Sequence, residues 1–291
     1  MVKIKQTISL NGVGNVFGVM KKIGHLMKYL IVSGDSNTTD DFDSISHPDM
    51  DFSYKKWPEL LAEKLGMKAI NVALSAQGNE FIYTTLRNEI IKIKDKSQIG
   101  LVIAAWSQAP RQDYKDLNVL NLKHDRRKGW RAVRINTHGN LPYWVEKSLG
   151  HYLDFQILCE RYNLTYVQFQ MIELFEHYLE GLMPSQSDIE SGADPNFKDK
   201  YPGNEKQDEK IILRTIMKYE DKLNISKFMG WPPVKKLGGF RLKDKLDLWS
   251  NKQSLNRVSY FDNHPNGLGH IAVCDKINML LEEYQILKKV K

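Results

Sequence analysis

The sequence predicts an α/β fold in which a parallel sheet is covered by helices on both faces. Three observations carry this expectation: short apolar runs recur along the chain, each stops at a turn of small polar residues, and helical spacing fills the intervals between them. When strands and helices alternate in this way, the strand-end turns share one edge of the sheet. The turns around Ser36, Gly78 and Ser107 are therefore expected to meet in space, although they are far apart in the chain.

Tyr29-Leu30-Ile31-Val32 has the uninterrupted apolar character of a strand buried on both faces, and Gly34-Asp35-Ser36-Asn37 is turn chemistry. A hydroxyl thus stands at a strand's C-terminal end, where open α/β sheets bind ligands, which makes Ser36 the first candidate for chemistry. Asp35 beside it is expected to shape the turn through its own backbone. The acidic loop from Asp40 to Asp51 lacks the alternation and closing Glu of a calcium loop, so no metal is expected there. Trp57 to Gly66 reads as a helix, with Pro58 in its first turn and Gly66 just past its end. Lys68 to Val72 is a second strand, ending in the turn Ala73 to Asn79. That turn opens a helix with Ile82, Leu86, Ile90 and Ile93 at helical spacing. Ile99 to Ala105 is the third strand, stopping at Trp106-Ser107-Gln108-Ala109-Pro110-Arg111.

From Gln112 to about Pro142 the pattern lapses into Lys123, Arg126, Arg127, Lys128, Trp130, Arg131 and Arg134. Basic and aromatic side chains so interleaved can bind single-stranded nucleic acid, but a solvated insertion with one anchoring Trp is the expected reading. Glu146 to Tyr162 reads as a helix, Leu164 to Phe169 as a fourth strand, and the polar stretch Ser185 to Lys210 as a long loop or lid. A helix over Ile211 to Leu223 and a break at Trp231-Pro232-Pro233 follow. A final helix has Ile271, Ala272, Cys274, Ile277, Leu280, Leu281 and Tyr284 on its buried stripe. Residues 1–26 read as an N-terminal extension, and 27–291 as one α/β domain with insertions at about 112–142 and 185–255.

Bulk properties narrow the function classes. The 291 residues, 42% hydrophobic and 26% charged, suit a globular protein with a sizeable core. No run of about 18 apolar residues exists to cross a membrane, and the apolar residues of the N-terminus are too interrupted for a cleaved leader. A cytoplasmic location is therefore expected. Two cysteines, Cys159 and Cys274, supply no disulfide framework and no zinc module, and both read as core residues. A formal charge of +7 is modest and reads as a solvated surface; nucleic acid is not expected as a partner.

Near the end of the chain, Asp262-Asn263-His264-Pro265-Asn266 precedes the final helix. Nucleophilic acyl transfer needs a hydroxyl, a base to take its proton, a carboxylate to fix the base's tautomer, and donors aimed at the developing oxyanion. Ser36, His264 and Asp262 fit the first three roles. The backbone N–H groups of Ser36 and Gly78 and the Asn79 side-chain amide are the expected donors. His270 is expected to be packed rather than catalytic, and His47 a surface residue.

Gly34-Asp35-Ser36, the Gly78 turn and the block Asp262-x-His264-Pro265-Asn266-x-x-Gly269-His270 together resemble the SGNH (GDSL-type) hydrolases. The resemblance implies a three-layer α/β/α sandwich with a flavodoxin-like sheet, no cofactor, and hydrolysis of esters, often acetyl groups on carbohydrate. Two features depart from the family pattern. Ala105-Trp106-Ser107-Gln108 stands where the family has Gly-x-Asn-Asp, so its usual Asn donor is missing. Asn79 is the expected substitute, with Gln108 or Ser107 behind it. Losing such a donor costs about 2.7–4 kcal/mol of transition-state stabilisation. The spacing Asp-x-His is one residue short of the usual Asp-x-x-His and is similar to acyltransferase-like relatives that modify exported polysaccharides. The Trp106-Ser107…Arg111 form of the third block resembles copies in tailed-phage genomes. The expected activity is a serine esterase or deacetylase acting on an O-acylated glycan or small ester. The alternative is a structural or binding protein on the same fold, such as a virion component with virion proteins as partners and a virion-associated location.

Overall fold

The computed structural model describes residues 27–115, 130–134, 140–179, 203–245, 256–259 and 262–287. The expected N-terminal extension, the basic run Lys123 to Lys128 and the polar stretch 185–202 lie outside the described residues. In chain order the elements are β1 (Tyr29–Ser33), α1 (Trp57–Lys64), β2 (Lys68–Asn71), α2 (Asn79–Lys92), β3 (Ile99–Trp106), β4 (Arg111–Lys115) and β5 (Trp130–Arg134). There follow α3 (Leu141–Arg161), β6 (Tyr166–Gln170), α4 (Glu176–Leu179), α5 (Glu205–Lys218), β7 (Phe228–Met229) and α6 (Gly267–Glu283).

The main sheet runs β2-β1-β3-β6-β7, and every pairing in it is parallel. Alternation along the strands sends Leu30, Val32, Leu101, Ile103 and Ala105 to one face and Ile31, Val102, Ala104 and Trp106 to the other. The first face is covered by α1 through Trp57 and Leu61 and by α6 through Val273, Ile277, Leu280 and Leu281. The second is covered by α2 through Phe81, Ile82, Leu86 and Ile90 and by α3 through Val145, Leu149, Tyr152 and Phe155. Burial on both faces explains why the central strands read as unbroken apolar runs. Each such side chain contributes about 1.5–3 kcal/mol by leaving water. This is the expected three-layer arrangement, and Cys159 and Cys274 are both buried within it.

Several helix starts are fixed by asparagine. Asn140 Oδ1 accepts from Tyr143 N (2.9 Å), Asn204 Oδ1 from Gln207 N (3.1 Å) and Asn266 Oδ1 from Gly269 N (2.9 Å), each satisfying an orphan N–H of the first turn. Asn204 corrects the expected loop at its C-terminal end. With Glu205 and Asp208 in its first turn, α5 begins inside the polar stretch and ends at Lys218, before the expected Leu223. Likewise α3 starts at Leu141, ahead of Glu146, because Asn140 caps it and Pro142 pre-sets its first turn.

Between β3 and α3, β4 and β5 pair antiparallel, with Arg111 opposite Arg134 and Lys115 opposite Trp130. Trp130 is buried and stands edge-on to Phe81 of α2, with ring centroids 5.4 Å apart. That contact seats the hairpin on the helix, and β4 then crosses the turn before α2 at close range. A Cβ on Gly78 would fall 2.5 Å from the Arg111 carbonyl oxygen, so only glycine fits there.

Candidate active site

Ser36 stands on the turn that leaves β1. Thr38 N and Thr39 N donate to the Asp35 carbonyl (2.9 and 3.0 Å), while Asn37 N and Asn37 Nδ2 donate to Asp35 Oδ1 (3.0 and 3.1 Å). Asp35 is fully buried and, as expected, shapes the turn. The hydroxyl it presents lies 2.7 Å, Oγ to Nε2, from His264. On the far side of the imidazole, Nδ1 lies 2.6 Å from Asp262 Oδ1.

The short Asp-x-His spacing has a local explanation. Asp262 Oδ1 accepts from the backbone N–H of His264 (3.0 Å) as well as from its ring, so an Asx turn brings base and carboxylate together two residues apart. The second carboxylate oxygen accepts from Ser44 Oγ. Burial opposes the charge of Asp262, but the hydrogen bonds from His264 and Ser44 overcome it and hold the carboxyl well below the usual carboxylate range. An ionised Asp262 keeps the proton on Nδ1 and leaves Nε2 as an acceptor for the Ser36 hydroxyl. The Phe42 ring covers the imidazole, centroid to centroid 4.2 Å. Ser259 Oγ accepts from Asp262 N (2.9 Å) and lies 2.8 Å from His47 Nε2, so His47 buttresses the loop. His270 Nδ1 accepts the first N–H of α1, from Trp57 (3.2 Å). Burial, with Lys56 and His264 nearby, pulls its pKa down to about 3 and keeps it neutral.

At the turns before α2 and after β3 the expected donors are differently occupied. The Gly78 N–H donates to Asp113 Oδ1 (2.6 Å), and Asp113 Oδ2 accepts from Phe81 N (2.8 Å), so a carboxylate from β4 caps α2. Asn79 is buried. Its Oδ1 accepts from Ser107 N (2.8 Å), and its Nδ2 donates to Ser107 O (3.2 Å) and Ser148 Oγ (3.0 Å). Gly78 and Asn79, the expected donors, are thus both engaged within the chain: the N–H is capped, and the amide clamps the end of β3. Gln108 is engaged too, donating from Nε2 to Glu173 Oε1 (2.5 Å) and accepting at Oε1 from Arg111 Nε (3.2 Å). Ser107 Oγ lies 3.2 Å from Asp35 Oδ2 and accepts from Arg111 Nη1 (2.9 Å). Ser36 N makes no hydrogen bond among the described residues.

Arg111 ties these turns together. Its Nη1 reaches Asp35 Oδ2 (3.3 Å), Gln77 O (3.2 Å) and Ser107 Oγ, one atom from each strand-end turn. The turns do cluster, as the alternation of elements required. Ser44, Phe42 and Asp113 were missed in the sequence, and Arg111 was read only as part of the third block. Ser44 and Phe42 lie in a loop read only for metal, and Asp113 in the stretch from Gln112 with no helical or strand period. Among the described residues no group of three or more His, Cys, Asp or Glu is placed to hold a metal ion. None of the described helices is long and apolar enough to cross a membrane.

No family model and no curated protein matches the chain. Among solved structures it is similar to TesA, at 10% identity and a TM-score of 0.45, over 88% of this chain and 99% of that one. It is similar to a protein of the G-D-S-L family from Desulfitobacterium hafniense DCB-2, at 12% identity and a TM-score of 0.43, over 87% and 99%. It is also similar to the psychrotrophic esterase EstA from Pseudoalteromonas sp., at 11% identity and a TM-score of 0.42, over 89% and 98%.

Proposed function

We propose that this protein is a serine hydrolase of ester bonds, with Ser36 as nucleophile, His264 as general base and acid, and Asp262 as the orienting carboxylate. The observation that carries the reading is the unbroken line from Ser36 Oγ through the imidazole to Asp262 Oδ1, at 2.7 and 2.6 Å. In the forward step the Ser36 proton passes to Nε2 as Oγ attacks the ester carbonyl. The imidazolium then returns that proton to the leaving alcohol, and an acyl-serine remains. Water, deprotonated by the same nitrogen, releases the acid. Such proton transfer contributes about 10²–10⁴-fold. The substrate class proposed is an O-acyl ester, with acetyl groups on carbohydrate as the form to test first, following the sequence resemblance.

The test is turnover of 4-nitrophenyl acetate and of an acetylated glycan by the wild type and Ser36→Ala. Hydrolysis that disappears with the hydroxyl supports the reading, and equal rates from both proteins remove it. One observation favours a second reading, a binding module without turnover: Gly78 N–H and the Asn79 amide are both engaged. A fluorophosphonate probe separates the two, because a silent module leaves Ser36 unlabelled.

A further inference from the structure

With the expected donors engaged, the charge that develops on the carbonyl oxygen needs another partner near Ser36. The Arg111 side chain is only 12% exposed, and three turns hold it in place. Its Nε and Nη1 hydrogens have acceptors, whereas Nη2 has none among the described residues. A guanidinium held through Nε and Nη1, with Nη2 unpartnered among the described residues, is a preorganised anion donor that needs little reorganisation to act. It adjoins the correct turn, since the acceptor of Nη1 on Asp35 belongs to the residue next to Ser36. The Arg111 backbone also packs over Gly78.

We propose that Arg111 is a catalytic residue. In this assignment its Nη2, together with the Ser36 N–H, takes the oxyanion in place of the engaged Gly78 and Asn79 donors. The assignment rests on the esterase reading above. It makes the β4 arginine the electrostatic half of the site, and the bonds to Asp35, Gln77 and Ser107 its scaffold.

Steady-state kinetics with 4-nitrophenyl acetate on the full chain test it. Arg111→Met is expected to lower kcat by about 10²–10³-fold while KM stays within about threefold, the pattern of a contact made only in the transition state. Arg111→Ala is expected to recover part of its kcat when guanidinium ion is added at millimolar concentration, with no rise in Tm, whereas refilling the cavity of a merely structural arginine would raise Tm as well. Unchanged kcat in Arg111→Met, no recovery with guanidinium, or recovery only with a rise in Tm overturns the assignment. Where the Met and Ala variants do not fold, Arg111→Lys decides: a kcat at least tenfold lower at unchanged KM supports it, and an unchanged kcat overturns it. If the wild type hydrolyses no ester, the esterase reading fails separately. Calorimetry with methylphosphonate, a tetrahedral oxyanion, then judges Arg111. Binding that is lost in Arg111→Lys upholds the anion site, and no binding to the wild type removes it.

Discussion

The relay at Ser36 and the turns beside it are built in opposite ways. Toward His264 the hydroxyl meets a linear relay to Asp262, assembled from a turn after β1 and a loop before α6. The neighbouring strand-end turns carry a crowded network in which an amide and a carboxylate are engaged and a guanidinium is held through Nε and Nη1. The relay depends on short local geometry: an Asx turn at Asp262 and an Asp-shaped turn at Asp35. The network depends on β4, a strand from outside the main sheet, and on what its side chains displace. Under the proposed function, proton transfer and oxyanion stabilisation fall to different elements, joined through Asp35, which shapes the Ser36 turn and accepts from Arg111.

The sharpest way to break the relay alone is Asp262→Asn. It removes the charge that fixes the imidazole tautomer and is expected to lower kcat about 10⁴-fold while leaving the Arg111 network intact, as read from steady-state rates. The network is broken most directly at Asp113. Asp113→Asn replaces one of two buried acceptors with an amide NH₂ that cannot take an N–H, so either Gly78 N or Phe81 N loses its partner. A loss of about 1–3 kcal/mol in urea unfolding is the expected result.

Acid titration separates the Asp113 network from the contact of His270 with the start of α1, with opposite signs. Burial pushes the Asp113 carboxyl up to about 6, against the hydrogen bonds from Gly78 and Phe81. Its contribution is fully present below the ordinary value of 3.8 and is lost as pH rises through about 6. His270, held down at about 3, contributes stability above its ordinary 6.5 that is lost as pH falls toward 3. Between pH 6 and 4 the two oppose. Asp113→Asn, uncharged throughout, should make the fall of Tm over that window steeper than in the wild type, and His270→Gln should make it shallower. A thermal series across pH reads both. The smallest effect is expected at Ser44→Ala, which removes one hydrogen bond from Asp262 Oδ2. The remaining bonds still hold the charge, so kcat should fall less than about tenfold, for a loss of about 1 kcal/mol.

What was legible in the sequence follows the same division. Leu30 to Val32 and Leu101 to Ala105 read as strands because both faces are buried, and Ile82, Leu86 and Ile90 as a helix because only one is. Ser36 could be placed at the strand-end edge that the parallel order dictates, while Asp262 and His264 were joined to it by the chemistry of an acid and a base before the final helix and by the family resemblance. The start of α5 was masked by its own polarity. Asn204, Glu205 and Asp208 are helix-start residues, yet with few apolar neighbours they read as loop. The engagement of Gly78 and Asn79 was not legible at all. Whether an amide points at a substrate or at the chain depends on which side chains arrive from elsewhere, and Asp113 and Ser107 come from 28 to 35 residues away.

Arg111 and Asp113 sit two apart on one strand, so they turn toward the same neighbours and would leave them together. A slip of β4 by a single residue against β5 would swing both side chains away, uncapping α2 and releasing Asp35 in the same movement. Exchanging that hairpin for another would reset the polarity around the alcohol while the histidine and its aspartate stayed as they are.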